Sequence, residues 1–240
     1  MIKSIKTILF NFMVITIIIS IYGCRGDVIP NDEDMSSYGW ELFKDKDYVQ
    51  ALDWFLTAVR EDSSHSDAYR GVGWTMGHLR QADSSAYYFE NYINRDSTAF
   101  EDKLDFYAGL AFAYNAMGDD ANARVYAETY FFGNQNSDIG DPYWCFCEKK
   151  DINTLDVRLV LAISEYRLGM FLNSQSSLNE LNDFFGYPIL NYNYDTAIER
   201  AILAEKLSTM RDDIDSSNGD NSLDCNGEGS PLKQGAGYCL

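Results

Sequence analysis

The sequence predicts an all-α fold built from helical hairpins that stack side by side. Gly39 and Gly73 each precede a tryptophan and lie 34 residues apart. The same interval separates Phe55 from Phe89. Only 4 prolines occur among 240 residues, which favours long helices over short strands joined by turns.

The first residues have the character of an export signal. Two lysines precede an apolar run from Ile8 to Tyr22, which contains about 15 residues. A membrane span needs roughly 20 residues, so the run is typical of a signal peptide instead. An uncleaved signal anchor and an ordinary secretory signal are the alternatives to the lipid-anchored form described next.

The end of this run, Ile21–Cys24, resembles a bacterial lipobox. That resemblance implies that residues 1–23 are removed and that Cys24 becomes an acylated first residue, with residues 24–33 as a polar tether. Acyl chains anchor a protein through buried methylene groups, at about 0.8 kcal/mol each. Because Arg25 follows the cysteine, where an aspartate would resemble an inner-membrane retention signal, the expected location is the outer membrane of a bacterial envelope.

The 34-residue interval defines a repeated unit. A third copy aligns Ala111 with the two glycines, and a fourth aligns Ala162. This period is the length of a helix–turn–helix unit. A small residue midway along the first helix allows the second helix to cross closely. Three copies are therefore predicted over 34–130.

The pattern resembles the tetratricopeptide repeat. The resemblance implies a right-handed α-solenoid, covers 34–130 well and extends loosely to a fourth repeat at 156–183. An unrelated helical bundle is the alternative. The residues that carry the resemblance in the first copy are Tyr38-Gly39, Leu42, Tyr48, Ala51, Phe55 and Ala58, and the later copies contribute Val72-Gly73, Met76, Phe89, Leu110-Ala111, Tyr114, Met117-Gly118, Ala123, Leu161-Ala162, Leu168-Gly169 and Phe171.

In stacked hairpins of this kind the first helices line a concave groove, which suits an extended peptide or an amphipathic helix. Apolar side chains and a few cations are expected there. Packing of the two tryptophans between hairpins is the competing interpretation. The candidate groove residues are Trp40, Phe43, Lys44, Trp74, His78, Phe112, Tyr166 and Arg167.

A long insert at 131–155 separates the third and fourth repeats. It contains turn residues and an aromatic cluster that includes Trp144 and Phe146. A loop of this length usually has a role of its own. The cluster is expected to dock either on the protein's own repeats or on a partner, and Trp144 is a candidate partner contact.

Four cysteines follow Cys24. Because an exported chain meets an oxidising environment, disulfides are allowed. Two cysteines separated by one residue form no easy bridge with each other, so linkage of each to the C-terminal tail is favoured. A four-cysteine zinc site is the alternative, although its C-x-C spacing departs from the usual one. The cysteines are Cys145, Cys147, Cys225 and Cys239.

The region 184–214 is predicted to be a connector followed by a helix that covers the end of the repeats. Thr196 and Glu199 form a helix-start signature. Ile198 and Ile214 are placed on the apolar side of that helix. Residues 215–240 form an acidic, glycine-rich tail that lacks the spacing of an EF-hand.

Charge and residue types argue against several classes of function. A net charge of −18 opposes binding to nucleic acid or anionic lipid headgroups. The chain has 2 histidines and no local hydrolase, zinc-protease or phosphate-loop motif, so no cofactor or metal is expected. The leading hypothesis is a non-catalytic, lipid-anchored scaffold that binds a peptide or protein. The alternatives are a glycan- or nutrient-binding lipoprotein paired with a transporter, and an enzyme with a cryptic site near His78.

Overall fold

The computed structural model describes residues 29–94, 104–133, 144–149 and 151–217. The predicted signal peptide, Cys24 with the first half of the tether, and nearly all of the tail lie outside these residues. The chain divides into the units Met1–Asn31 and Asp32–Leu240. The described part of the second unit contains nine α-helices and no strand, which confirms the all-α prediction: α1 Asp32–Lys44, α2 Tyr48–Glu61, α3 Ser66–His78, α4 Ala82–Ile93, α5 Leu104–Met117, α6 Asp120–Phe132, α7 Thr154–Arg167, α8 Phe171–Phe185 and α9 Ala197–Ser217.

Consecutive helices pack in pairs. The closest pairs are α1 with α2, α3 with α4, α5 with α6 and α7 with α8, and each pair also packs on the next. The first helices α1, α3, α5 and α7 are neighbours of one another in that order. The arrangement is that of a helical repeat. None of the helices in the described ranges is both long and apolar enough to cross a bilayer.

The turn inside each hairpin has the same geometry. In the first turn, Lys46 N donates to Phe43 O and Asp47 N donates to Leu42 O, both at 2.9 Å. Equivalent bonds close the other three turns. In each, the residue at the place of Lys46 has a left-handed φ between 60° and 76°, for which glycine pays no steric cost. These residues are Lys46, Arg80, Gly118 and Gly169.

The small residues of the repeat accommodate aromatic rings. A Cβ added to Gly39 would lie 2.7 Å from the ring of Phe55, and one added to Gly71 would lie 2.3 Å from it. The ring therefore lies between a glycine of its own hairpin and a glycine of the next. Phe89 is held in the same way by Gly73 and Gly109, at 2.3 and 2.4 Å. The sequence predicts the glycine of the same hairpin and misses the one that follows.

Two buried serines support the repeat register. Ser85 Oγ donates to the carbonyl of Gly73, and Ser174 Oγ donates to the carbonyl of Ala162, both at 2.7 Å. Each serine therefore ties a second helix to the small residue of its own first helix. The first and third hairpins have buried alanines at this place.

The buried side chains form two large clusters. One joins the first three hairpins, the insert and part of α7, and the other joins α7, α8, the connector and α9. Thr196 N donates to Glu199 Oε2 at 3.0 Å, and Glu199 N donates to Thr196 Oγ1 at 3.2 Å, which confirms the predicted helix start. Ile214 is buried against α7 and α8 as expected, whereas Ile198 is 73% exposed, so its placement on the apolar side was wrong.

Candidate binding surface

The face formed by α1, α3 and α5 collects most of the predicted groove residues, and we call it the first-helix face. Residues 144–149 of the insert lie directly on it. Phe146 is completely buried, and its ring stacks on Trp74 at 4.1 Å between centroids. The rings of Trp40 and Phe43 approach Phe146 edge-on, both at 6.0 Å. The aromatic cluster therefore docks on the protein's own repeats, which was one of the two expected outcomes.

Trp144 anchors the start of the docked segment. Its indole Nε1 donates to Asp105 at 2.6 Å, and its ring meets Tyr130 edge-on at 5.7 Å. The side chain is 4% exposed. Trp144 therefore contributes to the core in this arrangement instead of offering a free contact surface.

Glu148 anchors the end of the same segment by charge. Its carboxylate lies 3.2 Å from Lys44 Nζ and 3.5 Å from Arg70 Nη2. Arg70 also bonds Asp67 and Asp105, and its guanidinium lies 4.6 Å above the ring of Trp40. Lys44, predicted as a groove cation, is thus engaged by the insert.

The charges around Arg70 stabilise one another. Burial acts to lower the pKa of Arg70, but the carboxylates of Asp105 and Asp67 raise it above its ordinary value. Burial acts to raise the pKa of Asp67, but Arg70 and hydrogen bonds from Ser36 and Trp40 lower it overall. Each group is therefore held in its charged form.

The indole N–H groups of the three tryptophans on this surface differ in whether they have a hydrogen-bond acceptor. Trp40 Nε1 donates to Asp67 at 2.8 Å. Asp105 is the repeat equivalent of Asp67, but it accepts from Trp144 and Arg70 instead of from Trp74. Within the described structure Trp74 Nε1 is buried without an acceptor. Such a donor costs about 1–3 kcal/mol, so the native structure has an energetic penalty at this point.

A cavity of about 530 Å³ remains open beside the insert, among α3, α4, α5 and the start of α7. Its volume is in the range of small-ligand pockets. Aromatic rings and small residues line most of it, and a few polar groups reach it. The lining residues used below are Trp74, Gly77, His78, Arg80, Phe112, Ala116 and Asp156.

His78 is part of an aromatic stack. Its ring is nearly parallel to Tyr48 at 4.7 Å and meets Phe43 edge-on at 5.1 Å. Burial, together with Lys149 and against the effect of Asp151, lowers the pKa of His78 to about 4. The imidazole is therefore neutral at pH 7 and presents a flat, weakly polar wall to the cavity.

Asp156 is the acidic group of the cavity. One of its oxygens, Oδ2, accepts from Asn153 N at 2.9 Å and completes the capping box of α7. Burial, with smaller contributions from Asp215 and Asp151, raises the pKa of Asp156 to about 6, against the lowering effects of the hydrogen bond from Asn153 N and of Lys149. No cation pairs with this carboxylate in the described structure.

Replacing Asp156 with asparagine is expected to raise the free energy of unfolding by about 1–2 kcal/mol above pH 7. The folded-state pKa lies above that of an unfolded aspartate, so the native state binds more protons between about pH 4 and 6. Stability from this group therefore falls as pH rises through that window. Asparagine still offers an oxygen to Asn153 N. Urea unfolding at pH 4 and pH 7.5 measures the difference in unfolding free energy between native protein and Asp156→Asn, which should shrink at pH 4. The exposed Asp53→Asn variant is the control and should show no such change. An effect of Asp156→Asn that does not depend on pH would contradict its attribution to the carboxylate charge.

The remaining predicted site residues lie elsewhere. Phe112 lines the cavity, 6.0 Å from Trp74. Tyr166 packs on Phe171 in the second core cluster, and Arg167 is exposed and pairs with Asp120 at 3.2 Å. The structure therefore does not bring these last two into the first-helix face.

Both cysteines of the insert, Cys145 and Cys147, are disulfide-bonded. Their predicted partners, Cys225 and Cys239, lie outside the described residues. Among the described side chains, no three His, Cys, Asp or Glu residues are grouped as a metal ion would require.

Sequence reasoning missed Arg70 and Glu148 as members of this surface. Their clustering depends on contacts between segments far apart in the chain. Asp67 and Asp105 lie in the first turns of α3 and α5, where the helix dipole favours a carboxylate, and they are also the acceptors that organise the surface. Comparison with family models, with curated proteins and with solved structures finds no match to this chain.

Proposed function

We propose that this chain is a non-catalytic interaction scaffold of the bacterial envelope, anchored through acylated Cys24 and binding a peptide or protein on its first-helix face. In this proposal the four hairpins form a right-handed, tetratricopeptide-like solenoid, the first-helix face is its concave side, α9 is its C-terminal cap, and the outer membrane is its location.

The observation that supports binding is the open cavity at predicted groove residues. Trp74, His78 and Phe112 all line it. An apolar cavity with a few convergent polar groups is the usual form of a binding site. The neutral, stacked state of His78 favours a wall of the site over a general base. The glycan alternative finds less support, because a sugar platform needs an exposed aromatic face and Trp144 is 4% exposed.

Site-specific photo-crosslinking in cells tests this proposal. Ala116 is exposed and lines the cavity, so p-benzoylphenylalanine placed there should capture a discrete partner protein. The same probe at the exposed Ala121 of α6 is the matched control. Gly77→Leu should fill the cavity and abolish capture at 116, since a Cβ at Gly77 meets only Ser85 Oγ, at 3.7 Å. Identical products at both positions, or capture that survives Gly77→Leu, would contradict the proposal.

A further inference from the structure

The cavity has the features of a site for an organic cation. Asp156 lines it as a carboxylate with no cation partner among the described residues. Oδ2 is used by the α7 cap. Oδ1 accepts no hydrogen bond in the described structure and stays accessible to solvent. One carboxylate oxygen is therefore left to a ligand. The free-energy cost of removing a carboxylate from bulk water is poorly compensated until a positively charged donor reaches it.

Aromatic walls strengthen the same preference. Trp74 and Phe112 line the cavity, and the ring of Phe89 also reaches it. The faces of such rings attract ammonium groups, although Phe146 already covers one face of Trp74. Apolar stems of the ligand would be buried against the same rings and against the small residues Gly77 and Ala116. Rings and a carboxylate together favour a cation that carries an apolar stem.

The surrounding charge favours a cation over an anion. Asp151 and Asp215 act on Asp156 with the same sign, and Lys149 is the opposing charge. Arg80 also lines the cavity, but its side chain is exposed and forms no ion pair with Asp156. The whole chain has a net charge of −18, which raises the local concentration of cationic ligands.

We propose that this cavity binds an ammonium group on an apolar stem, with Asp156 as the counter-ion and Trp74 and Phe112 as the walls around the stem. The inference rests on the proposed binding function and specifies it further: the partner's anchor would be a lysine side chain. A free alkylamine has the same chemistry, and the experiment separates the two sources.

Pentylammonium and 1-pentanol are the first pair of probes, because they share a stem and differ in charge. Binding is followed at pH 7.5 through the indole resonance of Trp74 in ¹H–¹⁵N spectra. Pentylammonium is expected to bind with a Kd on the order of 1 mM and about tenfold more tightly than pentanol, the preference that one charged hydrogen bond provides. Equal binding of the two probes would overturn the inference.

Three variants show which group provides the preference for the charged probe. Asp156→Asn keeps the acceptor for Asn153 N and should reduce the tenfold ratio to about one. Asp53→Asn, on the exposed side of α2, is the control and should leave the ratio near ten. Gly77→Leu should block both probes. A ratio that survives Asp156→Asn would assign the cation to another group and overturn the inference.

The peptides acetyl-Gly-Lys-Gly-amide and acetyl-Gly-norleucine-Gly-amide distinguish the sources. Preferential binding of the lysine peptide supports a polypeptide anchor. If pentylammonium binds and the lysine peptide does not, the cation site stands as a small-amine site and the lysine assignment falls. The in-cell crosslinks at Ala116 are independent of these ratios, so failure here and failure of the proposed function give different results.

Discussion

Replacing Phe55 with alanine is expected to lower the free energy of unfolding by about 3–5 kcal/mol. The ring is completely buried and meets Trp40 edge-on at 4.7 Å. It fills the space that Gly39 and Gly71 leave open, so its removal creates a cavity between two hairpins. Urea unfolding followed by circular dichroism measures the loss. Phe132→Ala is the control, because that ring is 56% exposed and its truncation should cost less than about 1 kcal/mol.

A double-mutant cycle with Gly71→Ala tests the mechanism of this effect. In the native background a Cβ at Gly71 would lie 2.3 Å from the ring of Phe55, so Gly71→Ala should cost about 1–3 kcal/mol. In the Phe55→Ala background the clash is gone, and alanine should stabilise the helix by about 0.5–1 kcal/mol relative to glycine. The change of sign is the expected signature. Strictly additive effects would contradict the idea that the two glycines and the ring form one packing unit.

The hairpins were predictable because their signals are local. Gly39 and Phe55 belong to one hairpin, and Asp47 stands at the helix start where the structure finds its side chain accepting from Gln50 N. Gly71 was missed because it contacts the ring of the preceding hairpin, and its own neighbours in sequence give no sign of that contact.

The binding surface was only partly predictable, because its geometry depends on the insert. Helical spacing places Trp40, Trp74 and Phe112 on one side of the first helices, and the structure agrees. The spacing does not predict that Phe146 fills the space between Trp40 and Trp74. Ile163 occupies the equivalent place in the fourth hairpin, and Tyr166 occupies the place of Phe43. Both pack against the second core cluster, which includes residues of α8 and α9.

Arg70→Met is expected to lower the free energy of unfolding by about 3 kcal/mol at pH 7. The substitution removes ion pairs between segments far apart in the chain, those of Arg70 with Asp105 and Glu148. Methionine keeps most of the apolar stem, while Asp105 and Glu148 lose a cation in a site where their side chains are 14% and 12% exposed. Arg124→Met is the matched control. Arg124 pairs with Glu128 one helical turn away, and loss of such a surface pair should cost less than about 1 kcal/mol.

The pH dependence of this loss identifies its cause. The pKa of Asp67 is lowered in the native state, so its pairing contributes stability above the unfolded-state pKa and loses it as pH falls through the folded-state value. Once the carboxylates are protonated, they no longer need the guanidinium. The difference between native protein and Arg70→Met should therefore be largest near pH 7 and should narrow towards pH 3. A loss of equal size at both pH values would instead attribute the effect to packing of the guanidinium over Trp40, since that contact does not titrate in this range.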